Sequence, residues 1–122
     1  MKQEQHDIDK IYIGYATETG NAYEMALQTK LSLGNQVYAL REINEELAFE
    51  PHCLYIFFVS TTGQGDPPYS MRTFWKGLMN KNYPNLTNVK FCVYGLGDRS
   101  YGTNFNVTAR KLRQRLIMLQ AQ

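Results

Sequence analysis

Residues 53–68 limit the folds open to this chain more than any other stretch. They read Cys-Leu-Tyr-Ile-Phe-Phe-Val-Ser and then Thr-Thr-Gly-Gln-Gly-Asp-Pro-Pro. The first half is a near-continuous run of apolar strand formers, the pattern of a strand buried on both faces of a parallel sheet. The second half turns abruptly polar, with two glycines and two prolines, so the chain leaves the strand's carboxyl end in a tight loop. Ligands of open α/β sheets bind at such strand ends.

The flanking segments fit the same plan. Residues 1–9 form a polar lead-in, and residues 10–122 form one domain. Residues 10–16 read as a first strand and run straight into Thr17-Glu18-Thr19-Gly20-Asn21. A helix is expected over 22–33, with Ala22, Ala26, Thr29 and Leu33 on one face, Tyr23, Leu27 and Leu31 beside them, and Gly34-Asn35 as its stop. Residues 36–40 make a short second strand, and 41–51 a loop with one helical turn at most. After the prolines, Met71, Phe74, Trp75, Leu78 and Met79 fall at the spacing of an amphipathic helix, a stripe that reads as core rather than as a cofactor box. Residues 80–88 are a turn-rich connection and 90–94 a fourth strand, opening into Gly95-Leu96-Gly97-Asp98-Arg99-Ser100-Tyr101-Gly102. A last helix presents Ala109, Leu112, Leu116 and Leu119 on one side.

This order predicts a doubly wound parallel α/β sheet, strand order 2-1-3-4, with right-handed crossovers. Three of the four strands then deliver polar, glycine-containing loops to one edge. The first and third strands are neighbours whose helices leave on opposite faces, so a crevice opens between them. The loop at 17–22 suits a phosphate, since backbone N–H groups at a helix N-terminus, with Thr17, Thr19 and Asn21 beside them, hold an anion without lysine or arginine. No Gly-Lys-Ser/Thr follows, so it is not a Walker loop. An ordinary threonine-capped helix start gives the same local pattern. The other two loops place glycines where a planar ring can press against backbone, with Tyr101 as an aromatic face.

Composition narrows the function further. At 122 residues, 43% hydrophobic and 20% charged, the chain is an ordinary globular domain, with no apolar run near the roughly 20 residues of a membrane span. The first residues lack the pattern of a secretory signal, so the cytoplasm is expected. A net charge of +2 is too small to argue for nucleic acid. Arg110, Lys111, Arg113 and Arg115 crowd the end of the chain, either as a solvated helix face or as a docking face for an acidic partner. Cys53 and Cys92 fall inside strands with no ligand spacing around them and read as small buried apolar groups, so no metal site is expected.

Three motifs together carry a resemblance. Residues 17–22, residues 60–68, and residues 95–101 with Phe105-Asn106 resemble the three FMN-binding loops of the flavodoxin-like domain in NADPH-dependent diflavin reductases. Within that family the cytosolic iron–sulfur assembly type is the most similar. The resemblance implies that Thr17, Glu18, Thr19, Gly20, Asn21 and Ala22 bind the FMN phosphate. It implies that Thr61, Thr62, Gly63 and Gly65 line the ring, with the Gly63 backbone near flavin N5. Leu96, Gly97, Asp98 and Tyr101 lie on the ring's other side, Tyr101 by stacking, with Phe105 and Asn106 supporting the loop. Glu18 stands where the family usually has glutamine, Thr62 where many members have a second tyrosine, and Tyr69 where an acid is common. The family continues into a fifth edge strand beyond the length seen here, which leaves the fourth strand an open edge.

The function implied is an electron-transfer module, taking electrons from NADPH through FAD in a reductase domain of a parent protein and passing them from FMN to an acceptor, an iron–sulfur protein first. The isolated domain is then an electron carrier without its own NADPH site, and no residue is a catalytic acid, base or nucleophile. Two other readings stay open: a flavin-free interaction module, and an FMN domain serving a cobalamin or haem acceptor.

Overall fold

A computed structural model describes residues 8–17, 20–61, 66–96 and 106–122. Four strands, β1 (Lys10–Ala16), β2 (Val37–Glu42), β3 (Cys53–Ser60) and β4 (Lys90–Leu96), form one parallel sheet in the order β2-β1-β3-β4. The helices are α1 (Asn21–Leu33), α2 (Arg72–Leu78) and α3 (Val107–Met118). Short 3-10 turns follow α1 at Gly34–Gln36 and precede α2 at Tyr69–Met71. The doubly wound order expected from the sequence is the one observed.

The apolar run of β3 is explained by its place. It lies between β1 and β4, and Cys53, Tyr55, Phe57, Phe58 and Val59 are all buried. One face of the sheet carries α1, whose Ala22 and Ala26 pack with Ile13, Val37 and Phe58. The opposite face carries the larger core, where Tyr55, Phe57 and Val59 meet Met71, Phe74 and Leu78 of the α2 region and Ala109, Leu112 and Leu116 of α3. Small residues on α1 let the helix approach the strands closely, and the leucine stripe of α3 fills the wider gap on the other side.

Side-chain size is tuned within the sheet as well. Gly14 of β1 stands opposite Phe57 of β3, and a Cβ built on it would lie 2.8 Å from the phenyl ring. The ring occupies the space of the missing side chain.

Several expectations change in detail. The first helix begins at Asn21, and β2 runs from Val37 to Glu42. Leu31 is 73% exposed and Met79, just past the end of α2, is 50% exposed, so neither belongs to the core stripes. Cys53 is buried as expected, but Cys92 is exposed. It shares a face of β4 with Tyr94, also exposed, while Phe91 and Val93 point to the α3 side and pack against the core. Its side of the edge strand has no helix over it among the described residues.

The basic run of α3 is not uniformly solvated either. Arg115 donates from Nε to Leu78 O at 2.8 Å and from a terminal nitrogen to Asn80 O at 3.0 Å. A guanidinium thus closes the carbonyl end of α2, where a positive charge also complements the helix dipole. Past α3, Gln122 N donates to Val89 O (2.9 Å) and Phe91 N donates to Gln122 O (3.1 Å). That pair of bonds sets the last residue beside Lys90 in the manner of a parallel neighbour.

No helix among the described residues is long and apolar enough to cross a membrane.

Candidate functional site

The strand ends that carry the polar loops lie side by side. Ala16 pairs with Val59 and Ser60 pairs with Leu96, so Thr17, Thr61 and the chain beyond Leu96 leave the sheet at one carboxyl edge. α1 leaves on one face, and α2 and α3 cover the other. The division falls between β1 and β3, the switch point where an open α/β sheet forms its crevice.

At the first loop, Thr17 Oγ1 accepts a hydrogen bond from Gly20 N at 2.8 Å. Gly20 takes φ 97°, a left-handed conformation that glycine adopts without steric cost, and no described residue lies within 4 Å of where its Cβ would be. Gly20 is the cap residue of α1 and brings no side chain to the first-turn N–H groups. Among the described residues no side chain caps the backbone donors at the positive end of this thirteen-residue helix, an arrangement suited to an anion. Ala22, fully buried, seats that first turn against the sheet.

The second and third loops are tied together. Thr61 is 4% exposed, and its Oγ1 accepts a hydrogen bond from Thr108 N at 3.0 Å in the interior. Asn106, at the cap position of α3, has φ 56° and makes no cap bond with its own side chain. The threonine just past β3 thus caps a helix 47 residues downstream. Gly95 fits under the same turn, for a Cβ there would lie 2.8 Å from Ala109 Cβ and 2.9 Å from Asn106 Cγ. Asn106 Oδ1 and Thr108 Oγ1 are both buried without a hydrogen-bond partner among the described residues. Buried polar atoms are nearly always paired, so an unpaired acceptor beside the crevice is suited to a donor edge of a ligand.

Of the residues expected at the site, Thr17, Gly20, Asn21, Ala22, Thr61, Leu96 and Asn106 are brought to this edge. Glu18, Thr19, Thr62, Gly63, Gly65, Gly97, Asp98, Tyr101 and Phe105 lie outside the described residues. Gly95 opens the third of the expected loops, whereas Thr108 is a contributor that the sequence does not single out. The short Asn-Val-Thr run before an apolar-periodic helix is the signal that a helix begins there; what caps it is not local.

A sequence model of the flavodoxin family matches residues 13–122. The chain belongs to the flavodoxin family. This flavodoxin domain is 42% identical over 88% of its length to an NADPH-dependent diflavin oxidoreductase 1 of Emericella nidulans, of which it covers 17%. The proteins of the same name from Schizosaccharomyces pombe and Mus musculus are 41% and 38% identical over 92% of the chain, which covers 20% of each. The chain thus spans about a fifth of the length of these curated relatives. Among solved structures, oxidised flavodoxin 2 from Bacillus cereus matches 93% of the domain at a TM-score of 0.73 and 27% identity, with 77% of that chain covered. A flavodoxin mutant of Fusobacterium nucleatum, bound to flavin mononucleotide, matches with a TM-score of 0.76 at 19% identity, with 93% of this chain and 66% of that one covered. That last likeness bears on the fold.

Proposed function

We propose that this flavodoxin domain binds FMN and serves as the electron-carrying module of an NADPH-dependent diflavin oxidoreductase. The observation that carries the reading is the start of α1, where a left-handed Gly20, held by Thr17, brings no side-chain cap among the described residues to the first-turn amides at the switch point of a flavodoxin sheet. The relatives' names supply the setting.

In this reading the chain's own residues bind and orient. Thr17 and Gly20 shape the turn, and the amides from Asn21 onward, with Glu18 and Thr19, surround the phosphate. Thr61, Thr62, Gly63 and Gly65 on one side, and Leu96, Gly97, Asp98 and Tyr101 on the other, enclose the ring. Phe105 and Asn106 brace the second wall, and Asn106 Oδ1 is an acceptor for a ring N–H. FMN, when bound, supplies the one- and two-electron chemistry, while the protein provides position and electrostatics. No side chain here is assigned as a catalytic acid, base or nucleophile. Electrons reach the domain from NADPH through FAD in the reductase part of a longer cytoplasmic protein, and leave for an acceptor of the iron–sulfur class.

The test is a titration of the apoprotein with FMN, followed by quenching of flavin fluorescence, with riboflavin as the comparison lacking phosphate. Tight FMN binding is expected, with riboflavin weaker by about tenfold or more, since the loss of one hydrogen bond to a charged group already costs that much. Equal affinity for the two would overturn the phosphate role of α1. Binding of neither would overturn the flavin reading.

A further inference from the structure

Part of the basic run of α3 faces α2 rather than open solvent. Arg72 and Lys76 are four apart on α2, and Thr108 and Lys111 are three apart on α3, so each pair shares a helix face. With Asp66, Pro67 and Trp75 they line a cleft of about 360 Å³. It lies on the sheet face opposite α1, away from the amides assigned to the phosphate.

Among the described residues, three cations meet one acid in this cleft. Lys76 and Lys111 have no ion pair among the described residues. Arg72 is steadied by a bond from Nε to Pro67 O (3.4 Å) and lies over the Tyr69 ring at 5.6 Å, which leaves most of its five donors unspent among the described residues. Thr108 supplies a second kind of evidence. It is 4% exposed and lines the cleft, its N–H is committed to Thr61, and its hydroxyl has no partner among the described residues. A buried hydroxyl at the positive end of a twelve-residue helix, with a lysine one turn further on, is a donor set for an anion.

The remaining walls decide what kind of anion. Pro67 and the half-buried Trp75 are apolar, and an inorganic ion would leave them in water. A glutamate or aspartate within a polypeptide brings its own methylene groups and an apolar neighbour to cover them. We infer that the cleft between α2 and α3 docks an acidic segment of a partner polypeptide, with a carboxylate held by Thr108, Lys76 and Lys111 and an apolar side chain against Trp75. This site does not rest on the flavin reading, and charge complementarity there acts first on the rate and orientation of encounter.

The chain's single tryptophan reports on the cleft directly. The 122-residue protein is titrated at low ionic strength with a blocked peptide of alternating glutamate and leucine, and Trp75 emission is followed. A saturable change is expected, weakened about tenfold or more in Lys76→Glu/Lys111→Glu, since each reversal replaces an attraction with a repulsion of similar size. It should also weaken at 1 M salt, where the screening length falls to about 3 Å. The double variant should keep the wild-type FMN response and circular dichroism; Lys76→Gln/Lys111→Gln replaces it if it does not fold. No saturable change, or one that the double variant retains, overturns the proposal. So does equal binding of a lysine–leucine peptide, or saturation by inorganic phosphate in place of the peptide.

Discussion

Replacing Thr61 with valine keeps the shape of the side chain and removes only the acceptor for Thr108 N. That amide is buried, and the hydrogen bond it loses is 3.0 Å long. Among the described residues no local group takes over, because Asn106 at the cap position is left-handed and makes no cap bond. The cost is that of a lost helix cap combined with an unsatisfied buried donor, about 1–3 kcal/mol. In a chain of 122 residues, 1 kcal/mol moves the thermal midpoint by about 4 °C, so a fall of about 4–12 °C is expected by circular dichroism of the apoprotein. Thr61→Ser is the control. It keeps the hydroxyl and gives up one methyl, about 0.8 kcal/mol of burial, and should lose about 3 °C. Amide exchange at Thr108 should quicken in the valine variant and stay slow in the serine variant. If valine proves as stable as serine, Thr61 fills space and the bond across the two loops contributes nothing.

Two glycines should respond to alanine with opposite signs. Gly95→Ala puts a methyl 2.8 Å from Ala109 Cβ and should cost about 1–3 kcal/mol while weakening FMN, whereas exposed Gly77, with nothing within 4 Å, should gain up to about 1 kcal/mol as Gly77→Ala. Paired melting curves check both, and equal shifts would contradict the packing described at Gly95. At high pH, Tyr55 is the group to watch. Burial pushes its phenol up to about 12, and the hydroxyl donates to Ala48 O and accepts from Glu50 N. An unfolded tyrosine ionises near 10, so the unfolded chain holds fewer protons between about pH 10 and 12, and stability falls as pH rises through that window by an amount on the order of 2 kcal/mol. Tyr55→Phe should start less stable at pH 7 and lose less across the same window; parallel losses in denaturant titrations would remove Tyr55 as the cause.

Much of the fold is legible in the sequence because the signals are strong and local. The apolar run at 53–60 can hardly be placed except in the middle of a parallel sheet, and the leucine stripe of α3 matches its buried face residue for residue. The crevice follows from strand order alone. What is hidden depends on partners distant along the chain. Thr61 reads as one hydroxyl in a polar loop, and nothing near it announces a helix amide 47 residues away. Trp75 falls on a core stripe, yet α2 has only seven residues and stands at the edge of α3, which leaves the indole half in a cleft. Cys92 shares the apolar alternation of a core strand, and only the sheet's outer position turns its side to water.

The guanidinium of Arg115 on Leu78 O and Asn80 O has a bearing on how the molecule opens. Seven residues are too few to hold a helix on propensity alone. With its carbonyl end fastened to α3, α2 can unwind only by breaking that fastening or by carrying α3 with it. In hydrogen exchange, then, the amides of α2 should report the opening of α3, as one cooperative unit covering a whole face of the sheet.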